Sequence, residues 1–407
     1  MLSKTLAIVL AGGAGSRLQP LTNQRAKPAV PFGGKYRIID FTLTNCLHSG
    51  LRRILVLTQY KFHSLQKHLR DGWSIFNPEL GEYITTIPPQ MRTGNNWYSG
   101  TADAIHQNLY LVERSEADWV IVLSGDHIYR MDYAPMIEFH KQSGASATIA
   151  CMEVAIKDSH QFGIMSLDGT GKVTGFEEKP VNPRPSAESP GLALASMGIY
   201  VFSTEDLISA VSRDHDDASS DHDFGKNILP RMMETQRVYG YRFGGEKGRV
   251  SPDKYWRDVG TLDAYYDANM DLLEAVPPLN LYQNDWPIRT YSGQHPPART
   301  AQGSYGSEGI FINSIVSSGS VISGGSVQES ILFNNVRVDN EAIVERSLLF
   351  EGVVIGNGVR IKNTIIDKNV RVPDGEEIGY DLDKDRQRFT LSANNIVVIP
   401  KAYVFGK

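Results

Sequence analysis

The chain has 407 residues, more than the ~250–300 at which a single hydrophobic core stops growing, so two or more domains are expected. Lys and Arg number 41 against 46 Asp and Glu, a net charge of −5 in a chain 41% hydrophobic and 21% charged. That balance excludes wholesale disorder and offers no uniform basic field for nucleic acid or anionic lipid.

Lys4 precedes an apolar run, Leu6 to Ala11, that is too short for a secretory signal. No stretch approaches the ~20 apolar residues of a membrane span. Cys46 and Cys151 have neither disulfide-framework nor zinc-ligand spacing, and a reducing cytoplasm is the expected location. The run reads as a strand that enters the loop Leu10-Ala-Gly-Gly-Ala-Gly-Ser-Arg-Leu18. Gly12, Gly13 and Gly15 let backbone N–H groups approach a phosphate chain, and Arg17 supplies a fixed charge. The spacing is neither a dinucleotide fingerprint nor a Walker A loop, and a tight structural turn explains it about as well.

Arg25-Ala-Lys27-Pro28 follows, where two prolines, Pro28 and Pro31, stiffen the segment around Lys27. Further apolar runs, Arg53–Leu57, Trp119–Leu123 and Ala147–Cys151, alternate with segments such as Ala102–Glu113, whose Ala102, Ile105, Leu109 and Val112 have helical spacing. The pattern predicts βαβ units and an α/β, Rossmann-like, mostly parallel sheet with its binding edge at the carboxyl ends of the strands. Trp97-Tyr98-Ser-Gly100-Thr101 leads into that helix, and Tyr98 is a candidate sugar contact or simply a buried tyrosine with a satisfied hydroxyl. The run Val120 to Ser124 ends in Asp126, a candidate Mg²⁺ ligand or a turn former, and Asp258 in Tyr255-Trp-Arg-Asp-Val-Gly-Thr261 is a candidate second carboxylate.

Glu177-Glu178-Lys179-Pro180 offers Lys179 to a second phosphate. Asn182–Pro190 and Asp214–Asp223 read as surface loops, and a metal site among His215, Asp216, Asp217, Asp221 and His222 is weighed against a solvated acidic loop and disfavoured. Five prolines fall between Pro277 and Pro297, marking a linker, taken as 277–305, between domains at 1–276 and 306–407. Beyond it aliphatic residues recur every six positions: Ile315, Val321, Val327; Leu332, Val338; Ile343, Leu349, Ile355, Ile361; Ile366, Val372. A hexad suits the coils of a parallel β-helix, with an antiparallel sandwich as the alternative.

Taken in order, Arg25-Ala-Lys-Pro-Ala-Val-Pro-Phe-Gly-Gly-Lys35, Arg37-Ile-Ile-Asp-Phe41, Gly125-Asp-His-Ile-Tyr129, Leu194-Ala-Ser-Met-Gly-Ile-Tyr200 and Tyr255–Thr261 closely resemble the bacterial glucose-1-phosphate adenylyltransferases, also called ADP-glucose pyrophosphorylases. The resemblance covers nearly the whole chain. It implies a nucleotidyltransferase domain, a left-handed parallel β-helix for assembly and regulation, and a homotetramer. It implies that ATP and α-D-glucose 1-phosphate give ADP-glucose and pyrophosphate for glycogen synthesis, with Mg²⁺ as cofactor. Arg17, Lys27 and Asp126 are then the catalytic set. Leu10, Ala11, Gly12, Gly13, Gly15, Gln90, Gly100, Thr101 and Asp126 contact ATP, and Gln90 meets adenine. Tyr98, Gly163, Glu178, Lys179, Ser196 and Asp223 bind glucose 1-phosphate; Asp126 and Asp258 bind the metal. Small-molecule effectors are implied between the domains, near Arg25, Lys35, Arg37, Gln59 and Arg114. At Gln24 several relatives carry a cation instead, and the activator stays open. Alternatives are a weakly catalytic regulatory subunit, a sugar-1-phosphate nucleotidyltransferase using another nucleotide, and a β-helix acyltransferase. The last needs a histidine base, and no histidine follows His295.

Overall fold

The computed structural model of the protein describes residues 2–90, 97–186, 189, 191–244, 254–304 and 306–406. The apolar runs form β1 (Thr5–Ala11), β2 (Arg53–Thr58), β3 (Tyr83–Ile87) and β4 (Trp119–Ser124), parallel neighbours in the order β4-β1-β2-β3. Successive side chains on a strand point to opposite faces, and here both sets are apolar. Leu6, Ile8, Leu55 and Val122 enter one core, while Ala7, Val9, Val56 and Leu123 enter another. Helices α1 (Ile38–His48) and α2 (His63–Trp73) cover the second face; α3 (Thr101–His106) and α4 (Leu109–Arg114) cover the first. The sequence suggested one helix over 102–113. It is broken because Asn108 turns its side-chain amide onto the Ala104 carbonyl and the Tyr98 hydroxyl.

The chain continues through α5 (Ala134–Ser143), β5 (Ala147–Ala155), β6 (Gly163–Leu167), β7 (Val173–Glu178), β8 (Leu192–Ser203), α6 (Thr204–His215), α7 (Leu229–Thr235) and β9 (Val238–Arg242). The long strand β8 runs antiparallel to β4, β5 and β6, and its register shifts between Ser196 and Tyr200, so the sheet forks there. Strand β5, expected among the parallel strands, is parallel to β9 but antiparallel to β8. The half of the sheet that carries β1, β2 and β4 is the parallel half, and their carboxyl ends share one edge. Asp214–Asp223 is not wholly a surface loop: Asp214 is buried, with Ser220, His222 and Arg231 bonded to its carboxylate.

Residues 274–298 contain no strand or helix, as a proline-rich connection should. It is nevertheless packed. Leu279, Trp286 and Ile288 are buried in one cluster with Phe32, Phe41 and Tyr265 before it and Phe333, Phe350 and Ile365 after it. Past it three parallel sheets wrap a common interior, which rules out the antiparallel sandwich. Val321 stands opposite Arg337, then Val354, then Arg371, so a coil takes 16 residues and then 17.

That length corrects the phase of the hexad. Val338, Leu349, Ile355, Ile361, Ile366 and Val372 are inside as expected, but Ile315, Val321 and Ile343 are only half-buried. Ile322 and Val344 occupy the interior positions instead. Three strict hexads need a longer coil than 16 or 17 residues, so one side of each turn is shortened and the fixed period drifts off the inner face. No helix of the described residues is long and apolar enough to cross a membrane.

Candidate active site

The carboxyl ends of β1, β2 and β4 open into a cleft of about 570 Å³. The loop after β1 supplies Leu10, Ala11, Gly12 and Gly13; β2 ends beside Gln59; the segment before α3 adds Tyr98, Gly100 and Thr101; β4 delivers Ser124 and Asp126. Lys27 and Asp223 complete the wall among the expected residues. A Cβ on Gly13 would meet nothing within 4 Å, so the loop backbone faces open space there. Gly100 has the opposite reason for being glycine: a Cβ would stand 2.2 Å from the His222 carbonyl oxygen, which accepts from Ala102 N.

Lys27 is the centre of the charge arrangement. Its ammonium is buried and donates to Asp126 Oδ2 at 2.7 Å and Asp258 Oδ1 at 3.1 Å, joining the ends of two short antiparallel strands, 127–129 and 256–258. Burial works to lower the lysine pKa, yet the two carboxylates outweigh it and the pKa rises. For Asp126, burial alone would raise the pKa. The charges of Lys27 and His127, with hydrogen bonds from Lys27 and Ser124, hold it well below the usual carboxylate range. Both members of the pair are therefore charged at neutral pH.

Asp126, Asp258 and His127 place ligand atoms within 4.8 Å of one another. Two partly exposed carboxylates at a strand-end edge are hard oxygen donors, and the set fits a divalent cation. Arg17 is exposed on the Asp258 side: a Cβ on Gly260 would lie 3.1 Å from both Asp258 oxygens and 3.2 Å from Arg17 Nη2. Gly15 holds a left-handed φ of 64° that turns the loop back, and its carbonyl accepts from Thr22 Oγ1.

The expected sugar-phosphate residues gather more loosely. Glu178 Oε1 is 3.2 Å from Lys179 Nζ, and Lys179 has φ 51°. Gly163 packs so tightly that a Cβ would stand 2.5 Å from Phe176 and 2.7 Å from Glu178 Oε2. Asp223 caps the turn at Gly225 and Lys226 and accepts from Thr101 Oγ1, which ties the Glu178 side to the glycine-loop side. Ser196 is buried at the register shift of β8 and its hydroxyl accepts from Gly198 N. Tyr98 lines the cleft while its hydroxyl accepts from Asn108 Nδ2, the satisfied arrangement weighed from sequence. Gln90 is exposed, bonded to its neighbour Pro88, and is not among the residues lining the cleft. His127, Ser124 and Lys226 carry no role in the sequence reading, and Asp221 enters it only through the disfavoured acidic-loop metal site. His127 was legible as the residue after a strand-end aspartate; the others have no local signal.

A second cavity of about 330 Å³ lies between the two parts of the chain, lined by Lys35, Arg37, Lys67, His295, Glu351 and Lys368 among others. Lys35 and Arg37 were expected there. Three others expected with them are not: Arg25 is sealed into a bidentate ion pair with Asp367, Gln59 belongs to the first cleft, and Arg114 is an exposed residue at the end of α4. Arg25 commits both ends of its guanidinium fork to a buried carboxylate and does not line the cavity.

A glycine-loop cleft at the edge of a parallel sheet, with a lysine between two carboxylates, defines a nucleotidyltransferase. Residues 6–275 match the nucleotidyl transferase family, and residues 296–399 match the C-terminal hexapeptide repeat of GlmU-like proteins, which makes the parallel β-helix a left-handed one. The chain is 64% identical to glucose-1-phosphate adenylyltransferase 2 of Vibrio vulnificus (strain CMCP6), covering 98% of this chain and 99% of that one. It is 57% identical to glucose-1-phosphate adenylyltransferase 2 of Vibrio cholerae over 99% of each, and 48% identical to glucose-1-phosphate adenylyltransferase of Rhodopirellula baltica over 98% of this chain and 91% of that one. The chain belongs to the glucose-1-phosphate adenylyltransferase family.

Proposed function

We propose that this chain transfers the adenylyl group of ATP to α-D-glucose 1-phosphate, giving ADP-glucose and pyrophosphate for glycogen synthesis, as a cytoplasmic homotetramer. The observation that carries the reading is Lys27, buried between Asp126 and Asp258 on the wall of the glycine-loop cleft. A phosphate oxygen of glucose 1-phosphate attacks the α-phosphorus of ATP in line, and the bond from that phosphorus to the pyrophosphate oxygen breaks. The attacking oxygen is already anionic, so no protein nucleophile or base is needed.

The barrier is the approach of two anions, and fixed positive charge lowers it. The backbone of Gly12 and Gly13 and the guanidinium of Arg17 hold the triphosphate; Lys27 meets the leaving pyrophosphate. Asp126 and Asp258 hold Mg²⁺, which when bound neutralises phosphate oxygens. Lys179 takes the phosphate of the sugar, and Tyr98, Gly163, Glu178, Ser196 and Asp223 surround the glucose. Effectors bind the basic cavity of Lys35, Arg37 and Lys368.

Pyrophosphate release with glucose 1-phosphate, compared across ATP, UTP, GTP and dTTP, tests the reading. ATP should be preferred, and Asp126→Ala should lower turnover by ~10²–10³ while the variant stays folded. Preference for another nucleotide overturns the adenylyl assignment. No release with any of them marks a regulatory subunit, and near-normal turnover of Asp126→Ala removes the carboxylate from the chemistry.

A further inference from the structure

His215 does not join the aspartates that follow it in sequence. It ends α6, exposed, and its ring stacks on that of His106 in α3 with centroids 3.8 Å apart and planes inclined by 16°. Asp103 stands three residues before His106, a spacing that puts both on one face of the helix. An oxygen of Asp103 and one nitrogen of each ring lie within 4.8 Å of one another. His106 Nδ1 is shielded from solvent and has no hydrogen-bond partner, whereas buried polar atoms as a rule have one. The nearby His222 is already held: its Nδ1 pairs with Asp214 at 2.8 Å.

We propose that Asp103, His106 and His215 form a site for a transition-metal ion of the Zn²⁺ class, joining α3 to α6. One carboxylate and two imidazoles are a borderline-soft donor set, which selects Zn²⁺ over Mg²⁺. Three protein ligands leave the fourth position to water; two near-parallel rings cannot both aim a lone pair at one ion, so binding requires the exposed His215 ring to turn off the stack. Asp103 is oriented from behind, as metal ligands commonly are. Its Oδ2 accepts from Ser99 N at 2.9 Å, Ser99 Oγ at 3.0 Å and Gln107 Nε2 at 2.9 Å. Ser99 lines the nucleotide cleft beside Gly100 and Thr101, so an ion on Asp103 stiffens that wall from outside. The site shares no residue with the Asp126–Asp258 pair and stands whether or not the adenylyl reading does.

The test uses the full chain, stripped with a chelator and then kept in excess Mg²⁺ so that oxygen sites are filled. Zn²⁺ is titrated against a chromophoric chelator, and Co²⁺ is added separately for its visible spectrum. One equivalent of Zn²⁺ per chain is expected, with affinity reduced at least about tenfold in His215→Ala, since loss of even a ligand's supporting partner costs that much. Co²⁺ should show the absorption of a low-coordinate nitrogen–oxygen site that His215→Ala abolishes. His215→Ala, at an exposed position, should retain turnover with Mg²⁺ alone. Equal Zn²⁺ affinity in wild type and His215→Ala overturns the proposal. So does an absence of Mg²⁺-resistant Zn²⁺ binding, or binding removed by Asp126→Asn and untouched by His215→Ala, which places the ion between the strand-end carboxylates.

Discussion

His140 is almost inaccessible at 1% exposure, with its two ring nitrogens facing Thr148 Oγ1 at 2.8 Å and Ser203 Oγ at 3.3 Å. Burial alone lowers its pKa from 6.5 to about 4. The unfolded chain therefore takes up this proton first as pH falls. The stability is fully present above pH 6.5 and is lost progressively down to the folded value of about 4. A shift of that size is worth at most about 3–4 kcal/mol at 1.36 kcal/mol per pH unit. Thermal unfolding followed from pH 7.5 to 4.5 should show a fall in Tm that is shallower in His140→Asn; equal slopes would show that other groups govern the acid limb. Nothing in the sequence around His140 announces this, because its helix pattern is ordinary and its partners lie on β5 and β8. Asp126 and Lys27 contrast with it: each stands beside a local oddity, a strand running into a carboxylate and a lysine just ahead of two prolines, so both were marked as candidates before any fold was known.

At the scale of elements, the β-helix shows what a period can and cannot reveal. Six-residue spacing identified the coils, because an aliphatic side chain is needed at each inward turn. It misplaced Ile315, Val321 and Ile343, because coils of 16 and 17 residues do not hold three equal sides. The two phases make different predictions. Ile361 has no exposure and stacks between Val344 and Ile378, so Ile361→Ala should cost roughly 2–5 kcal/mol as a cavity substitution. Ile343, half-buried on the neighbouring strand that carries Val344, loses much less when truncated. Tm measured for the two alanine variants should fall substantially more for Ile361, and equal losses would contradict the phase. The same limit applies to β5, whose apolar run could not disclose that its neighbours are β8 and β9. Strand composition reports burial on both faces; it does not report direction.

For the whole molecule, the joint between the two parts is the contact that the sequence hid most completely, since Arg25 and Asp367 are 342 residues apart. Arg25 Nη1 and Nη2 donate to the two oxygens of Asp367 at 3.0 and 2.8 Å, and both side chains are nearly sealed from solvent. Two residues on, Lys27 holds Asp126 and Asp258, so the β-helix anchors the segment that presents the central cation of the cleft. Removing one partner of a buried pair leaves the other charge stranded and typically costs ~3–5 kcal/mol, whereas replacing both by apolar side chains is often neutral. Asp367→Leu should therefore lower Tm strongly, and Arg25→Met/Asp367→Leu should recover most of it. Turnover separates anchoring from mere stability. Apolar contact lacks the fixed two-point geometry of a guanidinium on a carboxylate, so the double variant should stay folded yet keep a reduced kcat, because Lys27 is held less firmly against the leaving group. Full kcat in the double variant would show that the pair serves only cohesion. Reduced kcat at restored Tm would make a residue of the last third of the chain part of the apparatus that positions the charge at the cleft.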